Sequence, residues 1–330
     1  MQATPRQALA VLLSVLLLAP PMALAGDDKK DVNKIGERDV SGGGILPNLF
    51  SLEKEIALGK QLAMQVEQSA RMVDDPVVLE YVDRVTQNLV RNSDARVPFS
   101  VKVIDSKEIN AFALPGGFFF LNSGLILAAD DEAELAGVMA HEISHVTARH
   151  GTKNASKAQF AQWAMIPLIL LGPGGWAGYG VYQGLNFGLP ITFLKFSRDA
   201  EREADYLGLQ YMWKAGYDPT SYISFFEKIR EREAKSPGSV PKIFSSHPPT
   251  KERITRAQKE IERILPAREQ YVVTTSEFGS VKQRLAQMMA GRKVEDQDPD
   301  RPTLRKRDRK QGDKKQDGED DEPPVLKRRP

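Results

Sequence analysis

His141-Glu142-Ile143-Ser144-His145 leaves this chain few ways to fold. On a helix, positions i and i+4 share a face, so both imidazoles can reach one tetrahedral Zn²⁺ at about 2.0–2.1 Å. Glu142, one residue along, is turned away from such an ion. It can approach water activated by the metal, which is where a general base belongs. Leu135, Val138, Met139 and Val146 add an apolar stripe that would bury this helix. Asp131 followed by Glu134 reads as a capping box, which predicts a helix from there to about Arg149. Two histidines do not hold a catalytic zinc, so the fold must bring a third ligand from elsewhere.

His150 is the nearest candidate and fails on angle. At about 100° per residue it would lie roughly 180° around a continuous helix from His141. It also sits one residue early for the metzincin spacing, so a structural or capping role near the helix C-terminus is expected instead. A second candidate is the stretch Ser197-Arg198-Asp199-Ala200-Glu201-Arg202-Glu203-Ala204-Asp205. Glu201 and Asp205 share a helix face, whereas Glu203 points roughly 160–200° away. That face offers a ligand, Glu201, together with an acceptor, Asp205, for the free ring N–H of a ligating histidine. Spacing alone does not place the two helices side by side.

The rest of the chain reads as mostly helix around a small sheet, an α+β arrangement. Helical periodicity covers 52–68, 76–89, 197–214, 219–232, 251–264 and 277–289, and strand-like runs cover 99–104, 110–114 and 118–121. Residues 1–25 have the form of a cleaved signal peptide: Arg6, an apolar run from Ala8 to Leu18, then Ala23-Leu24-Ala25. Residues 26–50 read as a flexible lead-in and 51–290 as the catalytic domain. Residues 291–330, dense in both charge signs and poor in apolar side chains, read as a disordered tail. The chain has no cysteine, which excludes disulfide scaffolds, thiol nucleophiles and Cys-type zinc sites. Lys and Arg number 46 against 44 Asp and Glu, so no nucleic-acid partner is expected. Trp163 to Phe196 is apolar but cut by prolines and glycines, too short-runned to span a bilayer. It reads as a glycine-hinged lid or cleft wall, one that touches a membrane peripherally at most.

Taken together, the motifs resemble the gluzincin metallopeptidases of the HtpX, Oma and BepA type. The resemblance runs from Glu55-Ile56-Ala57-Leu58-Gly59-Lys60 through Asn110-Ala111-Phe112-Ala113-Leu114-Pro115-Gly116-Gly117 and the His-Glu-x-x-His helix. It continues through the Ser197–Asp205 stretch to Ser246-His247-Pro248 and Arg253. It implies a mostly helical zincin domain with one Zn²⁺ held by His141, His145 and Glu201, and Glu142 as base. It further implies an edge strand at Asn110, Ala111, Phe112 and Ala113 bordering the metal, which an extended peptide could join by strand addition. His247 matches the family's His-Pro-x-x-x-x-Arg pattern. It would either stabilise an oxyanion or occupy the open metal position and keep the enzyme latent. BepA-type proteins continue into a helical-repeat domain; here a charged tail follows instead.

The reading that results is a zinc metalloendopeptidase of the periplasm that hydrolyses unfolded or misassembled cell-envelope proteins. Contact with the outer-membrane assembly machinery follows from the same resemblance. The competing class is a periplasmic chaperone or assembly factor whose zinc is structural or latent.

Overall fold

A computed structural model describes residues 28–42, 47–171, 196–235, 247, 248 and 250–296; at 28, 161–171, 233 and 291–296 it describes the backbone alone. The chain divides into two compact units, residues 1–288 and 289–330, and the fold described below is that of the first.

The His-Glu-x-x-His segment lies in helix α4 (Glu132–Thr147), all of whose residues are buried. Its burial follows from its neighbours. Helix α6 (Arg198–Ala215) packs along one side, α7 (Thr220–Lys235) along another, and α2 (Pro76–Arg91) and the sheet close the remainder. Two glycines set how near those helices come. A Cβ at Gly208, two turns after Glu201, would lie 3.2 Å from the His141 backbone nitrogen. A Cβ at Gly137, one turn before His141, would lie 3.1 Å from Tyr222 Cβ. Larger side chains there would push α6 and α7 away from the face that carries the histidines.

Asp131 caps α4 by accepting from the Glu134 N–H at 2.7 Å. Glu134 returns a bond to the Asp130 N–H rather than to Asp131, a capping box displaced by one residue. The helix stops two residues before the expected Arg149, because Arg149 takes φ of 57°. That left-handed turn is held by Arg149 Nε on buried Glu55 at 2.7 Å and by Arg149 Nη2 on the Phe50 carbonyl at 2.6 Å. Helix α5 (His150–Leu171) begins at the next residue.

The sheet has three strands in the order β1-β3-β2: β1 (Ser100–Ile104), β2 (Ala111–Leu114) and β3 (Phe118–Asn122). β1 pairs with β3 in parallel and β2 pairs with β3 antiparallel, with Ala113 opposite Phe119. Phe112 stacks on Phe120 at 5.3 Å between ring centroids, on the face covered by helix α1 (Leu52–Ser69); Ala111, Ala113, Phe119 and Leu121 join the main core. β2 is an edge strand. The Asn122 N–H donates to the Asn110 carbonyl at 2.9 Å. That fixes which β2 residues bond inward: by antiparallel alternation, Phe112 and Leu114 face β3 and the backbone groups of Ala111 and Ala113 face the open edge.

Of the remaining helices, α3 (Ser123–Ala128) follows β3, while α8 (Lys251–Ile264) packs on α6 and α7. The last, α9 (Ser276–Asp296), places Phe278, Val281 and Leu285 in the core.

Two stretches depart from their sequence reading. Residues 28–42, expected to be a flexible lead-in, are docked: Val32, Ile35 and Val40 are buried, and Arg38 is 4% exposed against Asp94. Three apolar side chains and one arginine suffice to anchor a segment whose overall composition is polar. Residues 291–296, expected in the tail, extend α9, while 297–330 lie outside the described residues. So do residues 1–25 and most of the expected lid, 172–195; residues 163–171 continue α5. Among the described residues no helix is long and apolar enough to cross a membrane.

Candidate metal centre

His141 and His145 present their Nε2 atoms 3.1 Å apart, as one helix turn dictates. α6 delivers Glu201 to the same point, its carboxylate 3.5 Å from each of those nitrogens. His247 comes from the segment before α8 and places Nδ1 3.3 Å from His141 Nε2 and 2.8 Å from Glu201 Oε1. These four buried side chains offer donor atoms that all lie within 4.8 Å of one another. The separations resemble the edges of about 3.3–3.4 Å that a tetrahedron with 2.0–2.1 Å arms would have.

The outer nitrogens show why the inner ones converge. His141 Nδ1 lies 3.1 Å from Asp205 Oδ1 and 3.0 Å from the Tyr222 hydroxyl. His145 Nδ1 lies 2.8 Å from His150 Nδ1. With a ring proton used on that side, the two Nε2 atoms face each other at 3.1 Å, and a shared cation, a proton or a metal ion, stabilises that approach. Glu201 Oε2 and Glu142 Oε1 are buried without a hydrogen-bond donor. Glu201 Oε2 is 3.1 Å from Arg253 Nη1, but no N–H is aimed along that line. Orphaned buried oxygens beside converging nitrogens fit a divalent metal.

Charge in the site follows from the same neighbours. Burial disfavours a charged His141, yet hydrogen bonds with Asp205 and Glu201 raise it to about 9. Burial holds His145 well below its ordinary value, the neutral form a ligand needs. Burial raises Glu201, but hydrogen bonds with His141 and His247 outweigh it and keep the carboxylate ionised. Asp205 is likewise raised by burial and lowered more by the Arg253 charge, to about 2. Arg253 binds it with two bonds, Nε to Oδ2 at 2.8 Å and Nη2 to Oδ1 at 2.6 Å, and the Tyr222 hydroxyl donates to Oδ1 at 2.5 Å.

Glu142 stands apart from the four. Its Oε1 is 3.6 Å from His247 Nε2, and burial pushes its pKa up against the charges of His247 and His141. The Ala113 backbone amide also acts on it, which puts the free edge of β2 beside this carboxylate. Of the expected strand residues, Ala111 and Ala113 carry the outward groups. Asn110 precedes the strand and bonds inward, and Phe112 turns its ring to the other face.

Several participants had no assigned role in the sequence. Tyr222 is one apolar-patterned residue among many on α7, and only contact with Asp205 distinguishes it. Arg253 was visible as part of a motif but not as the partner of Asp205. His150 stays outside the donor set, as expected, but for a different reason. The break at Arg149 swings it back over His145 instead of leaving it around the helix.

A family model described as Peptidase family M48 matches residues 77–261. The chain is 30% identical over 272 residues to the beta-barrel assembly-enhancing protease of Yersinia pestis, covering 78% of this chain and 54% of that protein. It is 31% identical over 259 residues to the protein of the same name from Escherichia coli K12, covering 76% and 50%. With the mitochondrial metalloendopeptidase OMA1 of Schizosaccharomyces pombe it shares 34% over 222 residues, covering 66% and 62%. The chain spans about half the length of the first two relatives.

Proposed function

The chain belongs to peptidase family M48, whose metalloproteases use zinc, and from that membership we propose a zinc-dependent endopeptidase acting on unfolded or misassembled proteins of the cell envelope. The observation that carries this reading is the donor set of His141, His145 and Glu201 with buried Glu142 alongside it. His141 and His145 would hold zinc through Nε2 and Glu201 through its carboxylate. Asp205, backed by Arg253 and Tyr222, fixes the His141 tautomer. When bound, zinc polarises a peptide carbonyl and makes water acidic enough to attack near neutral pH.

The chain's own residues supply the remaining steps. An extended substrate segment pairs with the outward N–H and C=O groups of Ala111 and Ala113, which read backbone rather than side chains. That pairing suits substrates that have lost their fold. Glu142, its pKa raised by burial, accepts the proton of the attacking water and passes it to the leaving amine. His247 keeps its Nδ1 within the donor set and so occupies the position that substrate must reach. We assign it as a latch that is displaced when substrate enters.

Export to the periplasm follows from the form of residues 1–25. A link to outer-membrane assembly is suggested by the name of the bacterial relatives. The deciding experiment is degradation of unfolded casein by the mature chain, with chelator, and with zinc restored. Cleavage that chelator stops and zinc returns supports the peptidase. Suppression of aggregation without cleavage, unchanged in Glu142→Gln, would favour the chaperone reading instead.

A further inference from the structure

We infer that His150, Glu203 and Lys29 form a positioning chain that holds His145 in its ligand orientation, making the docked strap at residues 28–42 part of the metal centre. The inference rests on the reading that His145 Nε2 holds the metal.

The chain is continuous. With Nε2 of His145 turned to the donor set, its proton sits on Nδ1 and is given to His150 Nδ1, 2.8 Å away. His150 then carries its own proton on Nε2 and donates it to Glu203 Oε2 at 3.1 Å. Lys29 Nζ closes the chain by donating to Glu203 Oε1. Each imidazole gives one proton to the next group and Glu203 accepts from both sides, so one tautomer satisfies every member. His150 is buried, 4% exposed, while Glu203 and Lys29 are partly exposed.

Glu203 thereby gains a use that its register hides. It points away from the face of Glu201 and Asp205, where a solvated acid would be expected. Instead it serves the second histidine as Asp205 serves the first. The difference lies in what backs each carboxylate. Asp205 is backed by Arg253 and Tyr222 from α8 and α7, whereas Glu203 is backed by a lysine ahead of α1.

That lysine is held in place by the strap itself. Arg38 Nη1 donates to the Lys29 carbonyl at 2.8 Å and to Gln210 Oε1 on α6 at 2.7 Å. Arg38 Nη2 meets buried Asp94 at 2.5 Å, and the Gly36 N–H donates to the same carboxylate at 2.8 Å. Arg38 thus ties the backbone of Lys29 to the helix that also carries Glu201 and Glu203.

The test measures zinc dissociation constants by competition with a chromophoric chelator, using the full chain. It also records the visible spectrum of the Co²⁺-loaded protein and the melting midpoint of the metal-free protein. His150→Ala is expected to weaken zinc binding about 10–100-fold. Glu203→Gln and Lys29→Met should weaken it less, in that order, with metal-free melting midpoints like the parent's and altered cobalt spectra. Should His150→Ala fail to fold, the other two variants decide. Affinities within twofold of the parent and superimposable cobalt spectra would overturn the chain. So would losses that simply follow a fall in metal-free stability, since those mark a structural tie only. His145→Ala separates the two readings: if it binds zinc as the parent does, the ligand assignment itself fails.

Discussion

His247 Nδ1 lies 2.8 Å from Glu201 Oε1, while its Nε2 lies 3.6 Å from Glu142 Oε1. One imidazole therefore stands between the proposed ligands and the proposed base. His247→Ala should keep zinc, because three donors remain, and should raise basal casein hydrolysis several-fold. Steady-state kinetics on an unfolded substrate checks this. A fall of about 10²–10³ in kcat would instead assign His247 to the oxyanion.

Glu142 contributes no atom to the four-residue donor set, so its charge and its shape can be separated from metal binding. Glu142→Gln is nearly isosteric and removes the proton acceptor. Hydrolysis should fall by at least about 10²–10⁴, with zinc content by elemental analysis remaining near one per chain. Retained turnover would remove the proposed base.

Metal removal should also be felt as stability. The site buries Glu142 and Glu201 among three imidazoles, and Glu142 Oε1 and Glu201 Oε2 accept no hydrogen bond there. A ligand that binds only the folded state adds about 4 kcal/mol at a thousandfold excess over its Kd. Chelator should therefore lower Tm by several degrees, and added zinc should restore it. An unchanged Tm would mean that the donor set holds nothing tightly.

Much of this arrangement was legible because it is local. The helix of the His-Glu-x-x-His segment, its Asp131 cap, and Glu201 and Asp205 on one face all follow from spacing within one element. What escaped was contact between elements. No periodicity links Tyr222 on α7 to Asp205 on α6, or Lys29 to Glu203, 174 residues apart in the sequence. The His150 geometry escaped for a different reason. The angle of about 180° from His141 holds for a continuous helix, and the left-handed Arg149, held by buried Glu55, breaks that continuity. The strap escaped because composition averages over a window, while docking depends on four side chains.

Tyr222 tests the outer support of His141. Its hydroxyl is buried, and burial raises its pKa well above 10, so it acts as a neutral donor to Asp205. Tyr222→Phe deletes that donor while keeping the ring against Phe226, 4.4 Å between centroids. Loss of a bond to a charged group costs about 1.5–3 kcal/mol, and zinc affinity should fall with it. Urea denaturation and chelator competition would measure the two effects, and neither should move if Arg253 alone orients Asp205.

Asp75 provides a pH prediction remote from the metal. Its Oδ1 caps α2 by accepting from the Val78 N–H at 3.1 Å, and Arg284 Nε donates to Oδ2 at 2.8 Å. The Arg284 bond is the main reason its pKa is lowered, ahead of the opposing effect of burial. A lowered folded-state pKa means stability that is present above the unfolded value and lost as pH falls through the folded one. Asp75→Asn keeps a capping oxygen but loses the charge, whereas Asp75→Ala loses both and should cost about 1 kcal/mol at pH 7. Arg284 is half exposed, so salt should screen the charge component and leave the cap. Urea midpoints at pH 7 and near pH 3, in low and high salt, would separate the two. The parent should approach Asp75→Asn as acid protonates the carboxyl, while Asp75→Ala stays below both. A pH-independent gap between parent and Asp75→Asn would show that the Arg284 pair contributes nothing to folding.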